Sequence, residues 1–188
     1  MTTSTLPSSP PTQIDVRKFA LAGAALSGHD VLLNYERLAK DLQRDAVDFD
    51  KKTVTWSAHG ETITPPGGSP QPWLHLSAQA HVPMVCQRCM GAVDLALDIH
   101  STFRFVATEA IAMAEDDDSV EDLLVLSKQF DLQALIEDEL LMALPIVPKH
   151  DVCPVNVKLA STDEEFKAAL TQKPNAFAAL GSLKKSSE

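Results

Sequence analysis

The stretch Leu74-His75-Leu76-Ser77-Ala78-Gln79-Ala80-His81-Val82-Pro83-Met84 alternates apolar with polar residues from end to end. A period of two sends every second side chain to one face of an extended chain, which predicts a strand with one face buried. The pattern breaks at Cys86-Gln87-Arg88-Cys89-Met90-Gly91. It resumes with Val93, Leu95, Leu97 and Ile99, then Phe103 and Phe105. Two alternating runs about a short glycine-containing connection predict an antiparallel hairpin over 73–106.

Working outward from the hairpin, Pro65-Pro66-Gly67-Gly68-Ser69-Pro70 is a break in regular structure. Before it, residues 48–57 alternate as a strand whose large residues are Phe49, Val54 and Trp56. Between Asp30 and Gln43, the spacing of Leu32, Leu33, Tyr35, Leu38 and Leu42 predicts a helix, with Arg37, Lys40 and Arg44 on its polar side. After the hairpin, Leu123 to Leu126 suit a short strand. Asp131 is placed to cap a helix from Leu132 to about Ala143, with Leu132, Leu135, Ile136, Leu140 and either Ala143 or Leu144 inward. Glu137, Asp138 and Glu139 then fall on its outer side, and Pro145 ends it. Residues 163–170 suit one more short helix. The fold class is α+β: an antiparallel sheet with a long central hairpin, a few flanking helices and disordered termini. Residues 1–13, rich in Ser, Thr and Pro, are expected to be disordered. Residues 14–160 form the expected single domain, and 161–188 a helical or extended docking tail. No internal repeat is visible.

The chain has 188 residues, of which 45% are hydrophobic but only 5% aromatic, so its core is built mainly from Leu, Val, Ile and Ala. No apolar run approaches the roughly 20 residues that cross a bilayer. The start, Met1-Thr2-Thr3-Ser4-Thr5, has neither the basic nor the hydrophobic region of a signal peptide, and a cytoplasmic protein is expected. Net charge is −10, from 26 acidic and 16 basic residues. Affinity for a phosphate backbone comes largely from Lys and Arg, so this balance favours a basic protein partner over naked RNA. The same acidity also serves solubility. Glu115, Asp116, Asp117, Asp118, Glu121 and Asp122 crowd one segment and read as a solvated loop. Asp116, Asp117 and Asp118, with Glu137 and Asp138 on the predicted helix, are the candidate partner-binding carboxylates. The rival is a basic face of Arg88, Arg104, Lys184 and Lys185 that touches RNA directly.

Three cysteines, an odd number in a chain with cytosolic character, argue against a disulfide framework. A redox Cys-x-x-Cys pair opens a helix whose N-terminus lowers the thiol pKa. Here the residues after Cys89 alternate as a strand, which disfavours that use. Zinc sites, in contrast, take such a pair at a hairpin turn, where two thiolates converge near backbone amides. The one remaining cysteine, Cys153, stands three residues after His150. Cys86, Cys89, His150 and Cys153 therefore make a complete Cys3His set for zinc. Three reduced, partly buried thiols and a surface histidine are the other reading of the same residues. The histidines at 29, 59, 75, 81 and 100 are scattered singly and read as surface residues. No Ser-His-Asp order, phosphate-cradling glycine loop or carboxylate pair stands out, so a non-enzyme is expected.

Three stretches, taken together, resemble a known family. They are Cys86-Gln87-Arg88-Cys89 between strands; Asp131-Leu132 and the run Ile136-Glu137-Asp138-Glu139-Leu140-Leu141-Met142-Ala143-Leu144-Pro145-Ile146-Val147-Pro148, with His150 and Cys153 after it; and Lys173-Pro174-Asn175-Ala176-Phe177-Ala178-Ala179-Leu180 followed by Ser182-Leu183-Lys184. These are similar to the YceD family, the large ribosomal RNA subunit accumulation proteins of bacteria and plastids. The resemblance runs from about residue 86 to 185. It implies a role in synthesis, processing or stability of large-subunit (23S) ribosomal RNA, with no catalytic residues. Some relatives carry a second cysteine pair where this chain has His150 and Cys153, which implies that the two segments meet in space. A basic ribosomal protein or a pre-large-subunit particle is the expected partner, and no membrane is. The alternative is a zinc-stabilised adaptor or regulator outside the ribosome.

Overall fold

A computed structural model describes residues 10–158 and 160–172 of the chain. The chain divides into two compact units, Met1–Val152 and Cys153–Glu188. The first carries α1 (Val16–Leu21), β1 (Ala25–Val31), α2 (Glu36–Asp41), β2 (Thr53–Ile63), β3 (Gln71–Val85), β4 (Ala92–Val106), α3 (Glu109–Glu115), β5 (Asp122–Val125) and α4 (Leu132–Met142). The second carries α5 (Glu164–Gln172), close to the predicted helix, with Asp163 Oδ1 accepting from the Phe166 amide at 2.5 Å.

The strands form one sheet in the order β1-β2-β3-β4-β5. The predicted hairpin is its centre: β3 and β4 pair antiparallel from Trp73 opposite Arg104 to Val85 opposite Ala92. The fold is α+β as expected, and the sheet is mixed, because β5 joins β4 in parallel. Parallel pairing follows from the connection: α3 and the turn after it bring the chain back only as far as Phe103, so that β5 runs beside the last residues of β4 in the same direction, from Asp122 opposite Phe103 to Val125 opposite Val106.

Alternation does its predicted work. Leu74, Leu76, Ala78, Ala80 and Val82 of β3 turn inward beside Leu97, Ile99, Phe103 and Phe105 of β4. Leu38 of α2 and Leu132, Leu135, Ile136 and Leu140 of α4 cover them, so α4 buries the stripe read from its sequence. Asp131 caps α4 by accepting from the Ala134 amide at 2.9 Å. At roughly 1.5–3 kcal/mol for each large apolar side chain buried, this face dominates the stability.

Several expectations are corrected. The helix predicted over 30–43 is short, because Asp30 and Val31 belong to edge strand β1. The Asp30 carboxylate, 2% exposed, accepts from Trp56 Nε1 at 2.6 Å and Tyr35 Oη at 3.2 Å. Burial, reinforced by the Asp30 charge, pushes the Tyr35 hydroxyl upward. Gly28 lies opposite Trp56, and a Cβ there would come within 2.6 Å of the indole, so bulk at 56 dictates its absence at 28. The strand predicted over 48–57 instead begins at Thr53 and runs to Ile63, after a turn that Asp48 enters at φ +60°. Pro10 and Pro11, expected to be disordered with the rest of 1–13, are packed: Pro10 is buried, and the Pro11 carbonyl accepts from the Leu132 amide at 3.2 Å, while Thr12 and Gln13 are exposed. The rest of the expected N-terminal tail lies outside the described residues, as does the tail from 173 onward.

Candidate metal centre

The turn joining β3 to β4 is built from Cys86 to Gly91. The Cys86 amide donates to the Gly91 carbonyl at 2.8 Å, and the Met90 amide to the Cys86 carbonyl at 2.9 Å. Met90 sits at φ +58°, in the left-handed region that unbranched L residues enter at a cost. The turn so closed brings the Cys86 and Cys89 sulfurs within 4.8 Å of each other.

The chain leaving α4 is held against this turn by hydrogen bonds to its carbonyls. The Gln87 amide donates to the Pro148 carbonyl at 2.8 Å, and Arg88 Nη2 donates to the His150 carbonyl at 2.5 Å. His150 follows with Nδ1 3.4 Å from Cys89 Sγ and Nε2 2.9 Å from the Ala92 carbonyl. The ligand atoms of Cys86, Cys89, His150 and Cys153 all lie within 4.8 Å of one another. Cys86 is buried and the other three are half-buried. Burial raises the Cys86 thiol, but hydrogen bonding led by the Cys89, His150 and Arg88 backbone outweighs it, and the thiol is pushed down to about 5. The sequence-predicted Cys3His set is thus brought together, near enough to bind a metal ion. Neither cysteine of the pair opens a helix, so the feature that lowers a thioredoxin-like thiol is missing from this turn.

The candidate carboxylates divide. Asp116, Asp117 and Asp118 form one exposed 3-10 turn. Glu137, expected on the outer side of α4, is 8% exposed: it accepts from the Arg37 and Leu38 amides at 2.6 and 3.2 Å and from Arg37 Nε at 2.8 Å. Asp138 stays half-exposed and takes Arg37 Nη1 at 2.5 Å. Glu139 meets the Ser101 hydroxyl. The outer side of the helix therefore docks, through Glu137, on the N-terminus of α2.

The predicted solvated loop around 115–122 is folded instead. Buried Arg104 donates to Glu121 at 2.6 Å, Glu115 at 2.8 Å and Ser119 at 2.7 Å. The rival basic face loses this member, since Arg104 is enclosed by acids, and Arg88 is occupied by backbone carbonyls. Lys184 and Lys185 lie outside the described residues. Sequence reading treated the five other histidines singly. Register puts His29, His59, His75, His81 and His100 on the same uncovered sheet face, with the His59 and His75 rings stacked at 6.2 Å. No helix among the described residues is long and apolar enough to cross a membrane.

These features define a small α+β protein whose central hairpin carries a Cys3His group at its turn. The sequence matches the family model of Large ribosomal RNA subunit accumulation protein YceD over residues 74–184, which takes in the hairpin, α4 and all four ligands. The chain belongs to the YceD family. A Haemophilus influenzae protein, named Large ribosomal RNA subunit accumulation protein YceD, is 31% identical over 111 residues. That match covers 56% of this chain and 62% of the relative, so the chain spans less than two thirds of the relative's length. No solved structure matches.

Proposed function

We propose that this protein is a cytoplasmic, non-catalytic factor in the accumulation of large-subunit (23S) ribosomal RNA. It acts on synthesis, processing or stability through protein contacts and holds zinc in its Cys3His group. The observation that carries the reading is the family match over residues 74–184. In a strain lacking the gene, mature large-subunit RNA is expected to fall relative to small-subunit RNA. Equal ratios, under cold stress as well, would remove the proposal.

Charge supports the mode of contact. A −10 chain gains little from phosphates, whereas a basic ribosomal protein or a pre-large-subunit particle presenting one complements the Asp116–Asp118 turn. Binding to such a partner weakens as salt rises, because exposed charges are screened beyond about 8 Å at physiological ionic strength. Changing Asp116, Asp117 and Asp118 to Asn should slow association and leave unfolding unchanged, read by surface-immobilised kinetics and urea titration. An unchanged association rate would return the contact to RNA. The Cys3His group favours a second reading, a zinc-stabilised adaptor outside the ribosome; a pull-down free of pre-ribosomal material would select it.

A further inference from the structure

We infer that the Cys3His group is a closed, structural zinc centre in which Cys86, Cys89 and Cys153 bind through sulfur and His150 through Nδ1, with the Ala92 carbonyl fixing the ring. The inference rests on the zinc reading above and adds the coordination, the tautomer and the role of the ion.

Donor chemistry comes first. Three thiolates and an imidazole select a borderline-soft ion of tetrahedral habit, and zinc is the common one. Zinc–sulfur and zinc–nitrogen bonds of about 2.3 and 2.0–2.1 Å put a sulfur and a nitrogen roughly 3.5 Å apart around a tetrahedron, and two sulfurs roughly 3.8 Å. Cys89 Sγ and His150 Nδ1, at 3.4 Å, already stand close to the sulfur–nitrogen spacing. The four donors lie within 4.8 Å of one another, so about 1 Å of side-chain movement completes the shell.

The tautomer follows from the second shell. A carbonyl oxygen only accepts, so the ring nitrogen 2.9 Å from Ala92 O carries the proton, and that nitrogen is Nε2. The unprotonated lone pair is then on Nδ1, which faces the sulfurs. Metal-bound histidines are oriented in this way, by a hydrogen bond from the other ring nitrogen. The ligand-bearing segments are also pre-positioned without the ion, by Gln87 to Pro148 and Arg88 to His150. Met90 at φ +58° is a strained residue at an exposed turn, an arrangement that persists when the surroundings demand it.

Four protein donors fill a tetrahedral ion and leave no position for water or substrate. A catalytic zinc keeps one open. The ion therefore fastens the β3–β4 turn to the chain that follows α4, and its loss frees those segments rather than a reaction.

X-ray absorption on the full-length, tag-free protein, stripped and reloaded with one equivalent of zinc, tests this directly. Three sulfurs and one nitrogen are expected, with nitrogen-15 spectra showing His150 protonated on Nε2. In His150→Ala, oxygen should replace the nitrogen while the sulfurs remain. Arg88→Ala should keep the same ligands but bind zinc about tenfold more weakly, as loss of outer-shell support does. An oxygen ligand in the unaltered protein, or His150 bound through Nε2, overturns the closed centre and leaves zinc binding standing. Failure to bind a stoichiometric zinc overturns both. The ribosomal RNA ratio in a deletion strain is independent of either result.

Discussion

Glu137 and Asp138 adjoin in sequence and both contact Arg37, yet their surroundings give them different weights. Glu137 accepts three hydrogen bonds, two from amides at the start of α2 that no helical carbonyl can satisfy. Removing its carboxylate leaves those donors stranded beside a guanidinium. Asp138 faces water, and its ion pair is discounted accordingly. Glu137→Ala is therefore expected to destabilise by about 2–3 kcal/mol, and Asp138→Ala by less than about 1 kcal/mol, both read from urea midpoints. If partner affinity falls in Asp138→Ala while stability holds, the docking role of that helix passes to Asp138 alone. Legibility in sequence differs at this scale as well. Asp131 was readable as a cap, because capping is local and its target lies three residues on. Glu137 was not, because its partner Arg37 is a hundred positions away.

At the scale of elements, the acidic run after α3 shows how a single buried cation organises like charges. Arg104, on β4, holds Glu115 and Glu121 on either side of the Asp116–Asp118 turn and so delivers the chain into β5. Burial raises the Glu121 carboxyl, but hydrogen bonding and charge from Arg104 overcome it and hold the group below its usual range. The sign follows: a carboxyl depressed in the folded state stabilises above its unfolded pKa and loses that contribution as pH falls through the folded one. The urea midpoint of the unaltered protein should therefore exceed that of Glu121→Gln at pH 7, with the gap closing below about pH 4. A gap constant across that range would separate Glu121 from Arg104. Neither α3 nor the parallel β5 pairing followed from local pattern, since the charge run there resembles a loop until Arg104 is placed against it.

Across the whole molecule, one sheet face carries the core and the other carries five histidines, while the two ends of the hairpin are fixed by different chemistry. The open end rests on Arg104 and its acids, the turn on the hydrogen bonds from Gln87 and Arg88 to the chain after α4, beside the proposed zinc centre. On the zinc reading proposed above, stripping the metal should therefore act locally. Hydrogen exchange is expected to speed at residues 86–91 and 148–151, with the paired amides of β2 and β3 unchanged, because their protection comes from the buried sheet face. Uniform loss of protection would make the ion a requirement for the entire fold. Sequence alone determined the hairpin, the capped α4 and the residues of the candidate ligand set, because alternation, capping and ligand spacing are properties of near neighbours. Only the tertiary structure decided that His150 turns Nδ1 toward the thiols, that Glu137 is buried and Asp116–Asp118 exposed, that Asp30 belongs to an edge strand, and that the scattered histidines share one face. Each of those depends on strand register or on a partner distant in the chain, and neither is encoded in local pattern.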